Sequence, residues 1–437
     1  MQNFNILDKH TIQLPTGVFA GVESFACYDD GRIQGVKLSE RNMLLTHAGE
    51  LVPAFTQTPR RKDKFSVEFY RDGMVKAVAL EEMQEVITPI GEMPAELVTF
   101  FETGELRRVF PLDGKISGFW TEADERALNI PLSFELGFAA FRANISCLCF
   151  YQSGELESVT LYPGEEIEVA VPVHGYGKAM YRDMRSAGVG SSANTGAKRV
   201  HEVPDGAGAH MHSTVAGKLG VAGGYDAATM GIPVRQGFSL YESGALKSVE
   251  PARPVRVPTP IGALWAYDPD AIGICADDNS LCFAKNGALE KLTTAGSRVT
   301  IQTGDGHFAI QEPHTYVNPL DGESMAVAGM TVRFGYGDGG GGLGVDGGGR
   351  VVDGKVRGGG GEGRVVGGEG RVVDGEGRVG GAAGCVWVEF SPDRERYLLS
   401  DCHFRVGDFV VPGADGADGE GFGGCSPAKC AGCSLCG

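Results

Sequence analysis

Apolar residues recur along this chain in short runs, and six of the runs share one punctuation. An aromatic or apolar pair is followed by two or three turn-forming residues, a Gly, one further residue, and then Leu, Ile or Val. Another apolar residue follows three positions on. The copies read Cys27-Tyr28 with Gly31, Ile33 and Val36, Phe69-Tyr70 with Gly73, Val75 and Val78, and Phe100-Phe101 with Gly104, Leu106 and Val109. They continue as Phe150-Tyr151 with Gly154, Leu156 and Val159, and Leu240-Tyr241 with Gly244, Leu246 and Val249. A weaker sixth copy is Cys282-Phe283 with Gly287, Leu289 and Leu292. Each copy predicts a β-hairpin. Asp-Gly, Ser-Gly and Asn-Gly are turn dipeptides because Gly reaches positive φ without a Cβ clash. Aromatic and β-branched flanks suit a pleated, half-buried strand. A lone hairpin is marginal in water, so successive copies must pair and share a buried face. The tetrapeptide Thr88-Pro89-Ile90-Gly91 returns as Thr259-Pro260-Ile261-Gly262, a second sign of duplication. Helical periodicity is poor, and Glu122 to Leu128, a short acidic turn, is its best candidate.

The 68 glycines divide this pattern. They crowd into 174–232, 335–384 and 413–437, and elsewhere their density is ordinary. Strand-like runs flank the first two stretches: Glu168–Val173 and Pro233–Phe238, then Met330–Phe334 and Cys385–Phe390. The simplest arrangement pairs each set across a hairpin whose loop has grown, since doubling a loop costs only about 0.6 kcal/mol. The predicted organisation is a first β-repeat block (1–173), a Gly/Ala/Ser-rich inserted loop (174–232) and a second block (233–334). A Gly-rich heptapeptide-repeat loop (335–384), closing strands (385–412) and a Cys-rich tail (413–437) complete it. The fold class is all-β, one or more meandering antiparallel sheets built from repeated hairpins. Arg350, Arg357, Arg364, Arg371 and Arg378 recur every seven residues, but this period cannot mark a coiled coil in a segment so rich in Gly, which costs about 1 kcal/mol per helical position. Gly335-x-Gly337-x-x-Gly340 matches a dinucleotide fingerprint by glycine saturation alone, with no helix to follow.

Phe100-Phe101-Glu-Thr-Gly104-Glu-Leu106, followed by Asp113-Gly114-Lys115-Ile116-Ser117-Gly118-Phe119-Trp120, resembles the MORN-type repeat. It is most similar to the bacterial variant found in YwqK-type antitoxins, over about 25–334 with the insertion excepted. The resemblance implies a meandering antiparallel sheet and an antitoxin-like binding or scaffolding surface. It brings no catalytic residues with it.

Charge narrows the partners. The chain carries 56 acidic and 39 basic side chains, a net charge of −17, which opposes the clustered basic surface that nucleic acid requires. The one dense basic run, Arg60-Arg61-Lys62-Asp63-Lys64, reads as a solvated turn. The N-terminus shows no apolar signal segment, and no uncharged apolar run approaches the ~18 residues of a spanning helix. A cytoplasmic location is therefore expected, with the cysteines as reduced thiols or metal ligands.

The densest chemical cluster is Cys425, Cys430, Cys433 and Cys436, spaced to reach one ion from tight turns. Four thiolates could complete a zinc site or hold an iron–sulfur cluster. The competing reading is a tail with incidental thiols. His201, His210 and His212 form a looser group in the first Gly-rich stretch. Cys147-x-Cys149 places both thiols on one strand face and reads as core, as do Cys27, Cys275 and Cys282. Trp120 and Trp265 read as core or sheet-face residues, with a partner-binding row of aromatics as the alternative. No nucleophile elbow, phosphate loop or zinc-protease motif occurs. The expected function is a non-enzymatic protein-binding or scaffolding module. Metal handling through the tail is the second reading, and an enzyme with a site between the two β-blocks is the third.

Overall fold

A computed structural model describes residues 4–8, 10–61, 63–114, 119–173, 229–271, 279–317, 319, 322, 325–336, 385–392 and 394–410. The chain is almost entirely β and forms two compact units, Met1–Val255 with Ala271–Ala288, and Arg256–Asp270 with Leu289–Gly437. The 174–228, 337–384 and 411–437 stretches, which contain the heptad arginines, lie outside the described residues.

The first unit is organised by one antiparallel meander. Its strands run in spatial order Val22–Cys27, Ile33–Leu38, Val67–Phe69, Val75–Thr88, Gly91–Phe100 and Leu106–Phe110. The order continues through Ile145–Phe150, Leu156–Leu161, Thr229–Leu240, Leu246–Pro251 and Leu281–Phe283. Glu166–Pro172 pairs with the first half of Thr229–Leu240, so the two flanks of the first Gly-rich stretch are hydrogen-bonded partners. The helix Glu122–Leu128 starts at a capping box in which Thr121 and Asp124 bond each other's backbone N–H.

Register explains the spacing of the repeat. Phe100 faces Leu106 while Thr99 faces Arg108, which leaves Arg107 as the extra residue of a bulge. A strand alternates faces every residue, so Leu106 and Val109 share the core face only because of that added residue. Gln34, Lys76, Glu157 and Lys247 hold the same extra position in the other copies. One cross-strand rung therefore collects Val36, Val67, Val78, Val98, Val109, Leu148, Val159, Phe238, Val249 and Leu281, each with no exposed surface. A second layer of short hairpins covers this apolar face. Phe19 meets Phe69 edge-on at 5.5 Å, and Phe138 meets Phe238 at 5.3 Å.

The turns themselves are uniform. In each copy the residue before the turn donates its N–H four residues ahead and accepts from the turn Gly, as in Phe101 N to Glu105 O (2.8 Å) and Gly104 N to Phe101 O (2.9 Å). Gly104 has φ +98°, which a side chain would strain, although a Cβ there would reach only ordinary contact with His47 at 3.7 Å. The sixth copy is set one residue later than the sequence pattern suggests. Ala284, not Phe283, occupies the turn position, and Phe283 fills the preceding core position. Thr303–His307, in the second unit, repeats the same turn without an aromatic residue.

The aromatic at the turn has a definite task. Tyr28 donates its hydroxyl to Phe69 O (2.8 Å), Tyr70 to Phe100 O (2.7 Å), Tyr151 to Leu240 O (2.7 Å) and Tyr241 to Phe283 O (2.8 Å). Each bond ties one copy to the next. Phe101 lacks the hydroxyl at this point in the series. Phe101→Tyr is expected to restore the missing link, to Phe150 O, and to stabilise the unit by about 1 kcal/mol in urea unfolding. No gain, or a loss, would show that the site cannot admit the oxygen.

In the second unit, Leu289–Thr294, Met330–Tyr336, Cys385–Phe390 and Glu395–Leu398 follow one another in one antiparallel order. The flanks of the second Gly-rich stretch thus pair directly, Phe334 opposite Val388. Gly335 packs where any Cβ would enter the Trp387 ring, 1.9 Å from its Cε2. Phe308–Gln311, Ser297–Thr303 and Cys402–Asp408 form a further three-stranded sheet. Asp408 Oδ1 accepts from Trp265 Nε1 (2.9 Å) and Arg256 (3.1 Å), which fixes Trp265 at half burial on a sheet face.

Candidate functional site

In an antiparallel meander every second connection falls at the same end of the strands. The turns at Tyr28, Tyr70, Phe101, Tyr151 and Tyr241 therefore form one edge of the first unit, spaced about 10 Å apart because two strands separate them. The five rings are half-buried and their turn tips are exposed: Asp29 and Asp30, Arg71 and Asp72, Glu102 and Thr103, Gln152 and Ser153, Glu242 and Ser243.

Charged groups brace the rings. Arg71 lies over Tyr28 at 4.6 Å, Arg107 over Phe101 at 5.5 Å, and Lys247 and Lys285 over Tyr241 at 6.0 and 5.8 Å. Arg107 and Lys247 are bulge residues, so the same added position that aligns the core also supplies the cation. Neighbouring tips are linked by Arg71 to Asp30 (2.9 Å) and by Gln152 to Thr103 (2.8 Å). The backbone N–H of Arg32 bonded to Asp30 holds that carboxyl below its ordinary range, with Arg71 adding to the effect. Burial raises the Tyr151 phenol, and Glu157 and Glu242 push it further, so the hydroxyl remains a donor at neutral pH.

A second feature of the first unit is a cleft of about 220 Å³, lined in part by Lys37, Thr56, Arg61, Asp63, Lys64 and Asp113. Two of its lining residues, Arg61 and Asp113, also belong to a buried ion network. Glu96 lies between Arg60 and Arg61, and its second oxygen accepts from Asp113 N (2.8 Å). Glu125 accepts from Trp120 Nε1 (2.7 Å) and faces Arg60 at 3.4 Å. The basic run expected to be a solvated turn is thus partly folded inward, because two buried carboxylates need its guanidinium groups. Lys37 pairs with Asp63 (2.5 Å) and Lys64 with Asp113, so the cations at the cleft already have partners. At this volume the cleft is below the ~300–1,000 Å³ usual for small-molecule pockets.

Cys425, Cys430, Cys433 and Cys436 lie outside the described residues, as do His201, His210, His212 and Cys275. Among the described residues no group of three or more His, Cys, Asp or Glu is placed to hold a metal ion. Cys27, expected in the core, is exposed because it lies on the terminal strand of the meander, with no strand beyond it among the described residues. Cys147 and Cys149 are buried, but on the face turned away from the apolar rung, where they form a small cluster with Phe110. Burial pushes the Cys385 thiol up to about 12. Trp120 is half-buried above the ion network, with Arg60 5.7 Å from its ring. The tyrosine links and side-chain bracing of the turn edge were not read from sequence. The recurrence of Tyr directly before the turn residues was the signal available.

No helix among the described residues is long and apolar enough to cross a membrane. The fold and this edge define a hairpin-repeat β protein. No family model, curated protein or solved structure matches the chain.

Proposed function

We propose that the protein is a non-enzymatic binding or scaffolding module, and that another protein docks along the aromatic turn edge of the first unit. One observation carries this reading: five half-buried rings at regular spacing, four of them held by inter-copy bonds, flanked by exposed tips of both charges. Rigid aromatics with little side-chain entropy to lose, ringed by polar groups, are the chemistry of protein-interface anchors. The antitoxin-like resemblance points to the same kind of role. Site-specific photo-crosslinkers at Glu102, Gln152 and Glu242, each on a turn tip, test it in the producing cell. A discrete adduct of one partner from these tips, and none from Glu50 on a covering hairpin, is the expected result. Adducts spread evenly over tips and control, or none from the tips, would refute it.

A further inference from the structure

Cys147 and Cys149 are adjacent on one face of Ile145–Phe150, with their sulfurs 3.8 Å apart. They are almost wholly buried, at 3% and 2% exposure, yet they lie opposite the apolar rung to which Leu148 belongs. On that face they form a small buried cluster of their own, with Phe110 packed against it among the partly buried apolar residues. The sulfur separation has a chemical meaning. Two bonds of about 2.3 Å meeting at the tetrahedral angle place thiolate sulfurs about 3.8 Å apart, the bite of a zinc-class ion.

A second observation comes from the neighbouring strand. Thr160 sits directly opposite Cys147 in the register, which puts the two side chains on the same face. Its hydroxyl oxygen is buried and has no hydrogen-bond partner among the described residues. A buried hydroxyl without a protein partner is a position at which an ordered water or ion can complete the bonding. On the other flank Arg108 lies directly across from Cys149. We propose that Cys147 and Cys149 form a two-thiolate site for a borderline-soft divalent ion of the zinc class, with Thr160 holding a water that helps complete the coordination. Binding forms two metal–sulfur bonds and releases two thiol protons to solvent, with no change of oxidation state. The site is separate from the turn edge and does not depend on the proposed protein-binding role.

The test uses the full chain with Cys425, Cys430, Cys433 and Cys436 changed to Ser, so that the C-terminal thiols contribute nothing. Titration with Co(II) is expected to give one equivalent showing thiolate-to-cobalt charge transfer and tetrahedral visible bands. Cys147→Ala should abolish both, and Thr160→Val should weaken binding about 10–100-fold. Absence of charge transfer, or its persistence in a folded Cys147→Ala chain, would overturn the proposal. Zinc X-ray absorption on the protein with Cys147 and Cys149 intact gives a readout that needs no variant at the site. Two sulfur neighbours are expected, and none or four would also overturn it.

Discussion

Glu96→Ala is expected to cost the first unit about 3–5 kcal/mol, because it leaves buried positive charge without its partner. The Glu96 side chain is 4% exposed, and Arg60 and Arg61, which it holds together, are 16% and 12% exposed. The substitution also strips the acceptor from Asp113 N–H. Glu125 still faces Arg60, but Arg61 keeps only the Leu80 carbonyl among the bonds described for it. Glu96→Gln keeps the shape and an acceptor oxygen, so its loss should be smaller. Urea unfolding followed by circular dichroism measures both. A loss below about 1 kcal/mol for the alanine variant would mean that water reaches and satisfies the two arginines.

Phe238→Ala is expected to cost a comparable 3–5 kcal/mol, through a different mechanism. Its ring has no exposed surface and sits in the central rung between Val159 and Val249. Above it, Phe138 and Phe141 of a covering hairpin meet it edge-on at 5.3 and 6.0 Å. Truncation removes the anchor between the two layers and leaves a cavity that bulged strands cannot close without losing register. Phe308→Ala is the control. That ring is 69% exposed, and its removal should change stability by no more than about 0.5 kcal/mol. Equal effects at the two positions would contradict the two-layer core.

The hairpins were legible because turn chemistry is local: Asp-Gly or Ser-Gly between apolar runs needs nothing distant to be understood. The strand pairing across both Gly-rich stretches was legible for a related reason, since each has strand-like sequence on both sides. The bulge was present in the sequence as an odd three-residue spacing between apolar positions, as at Leu106 and Val109, but only register shows why that spacing works. The Cys282-Phe283 copy was misaligned by one residue because Phe suits either the core or the turn position. The charged network was hidden for the opposite reason. Arg60 finds Glu96 and Glu125 at separations of 36 and 65 residues, and a basic run with distant partners looks the same as a solvated one. The turn edge was half legible: its aromatics were visible, whereas their alignment at one end followed from the meander.

The hydroxyl links give the array a direction. Within the first unit, Tyr28 and Tyr241 both bond forward along the chain, so every such copy leans on its successor. Shortening from the first copy removes a donor and leaves the Phe69 carbonyl, an acceptor that water readily serves. Shortening from the last leaves the Tyr241 hydroxyl facing a missing strand and uncovers the Leu281–Phe283 neighbour contacts of Leu246–Pro251. The array therefore has a polarity: its first copy gives a link and receives none among the described residues, while the Leu281–Phe283 strand receives the last one.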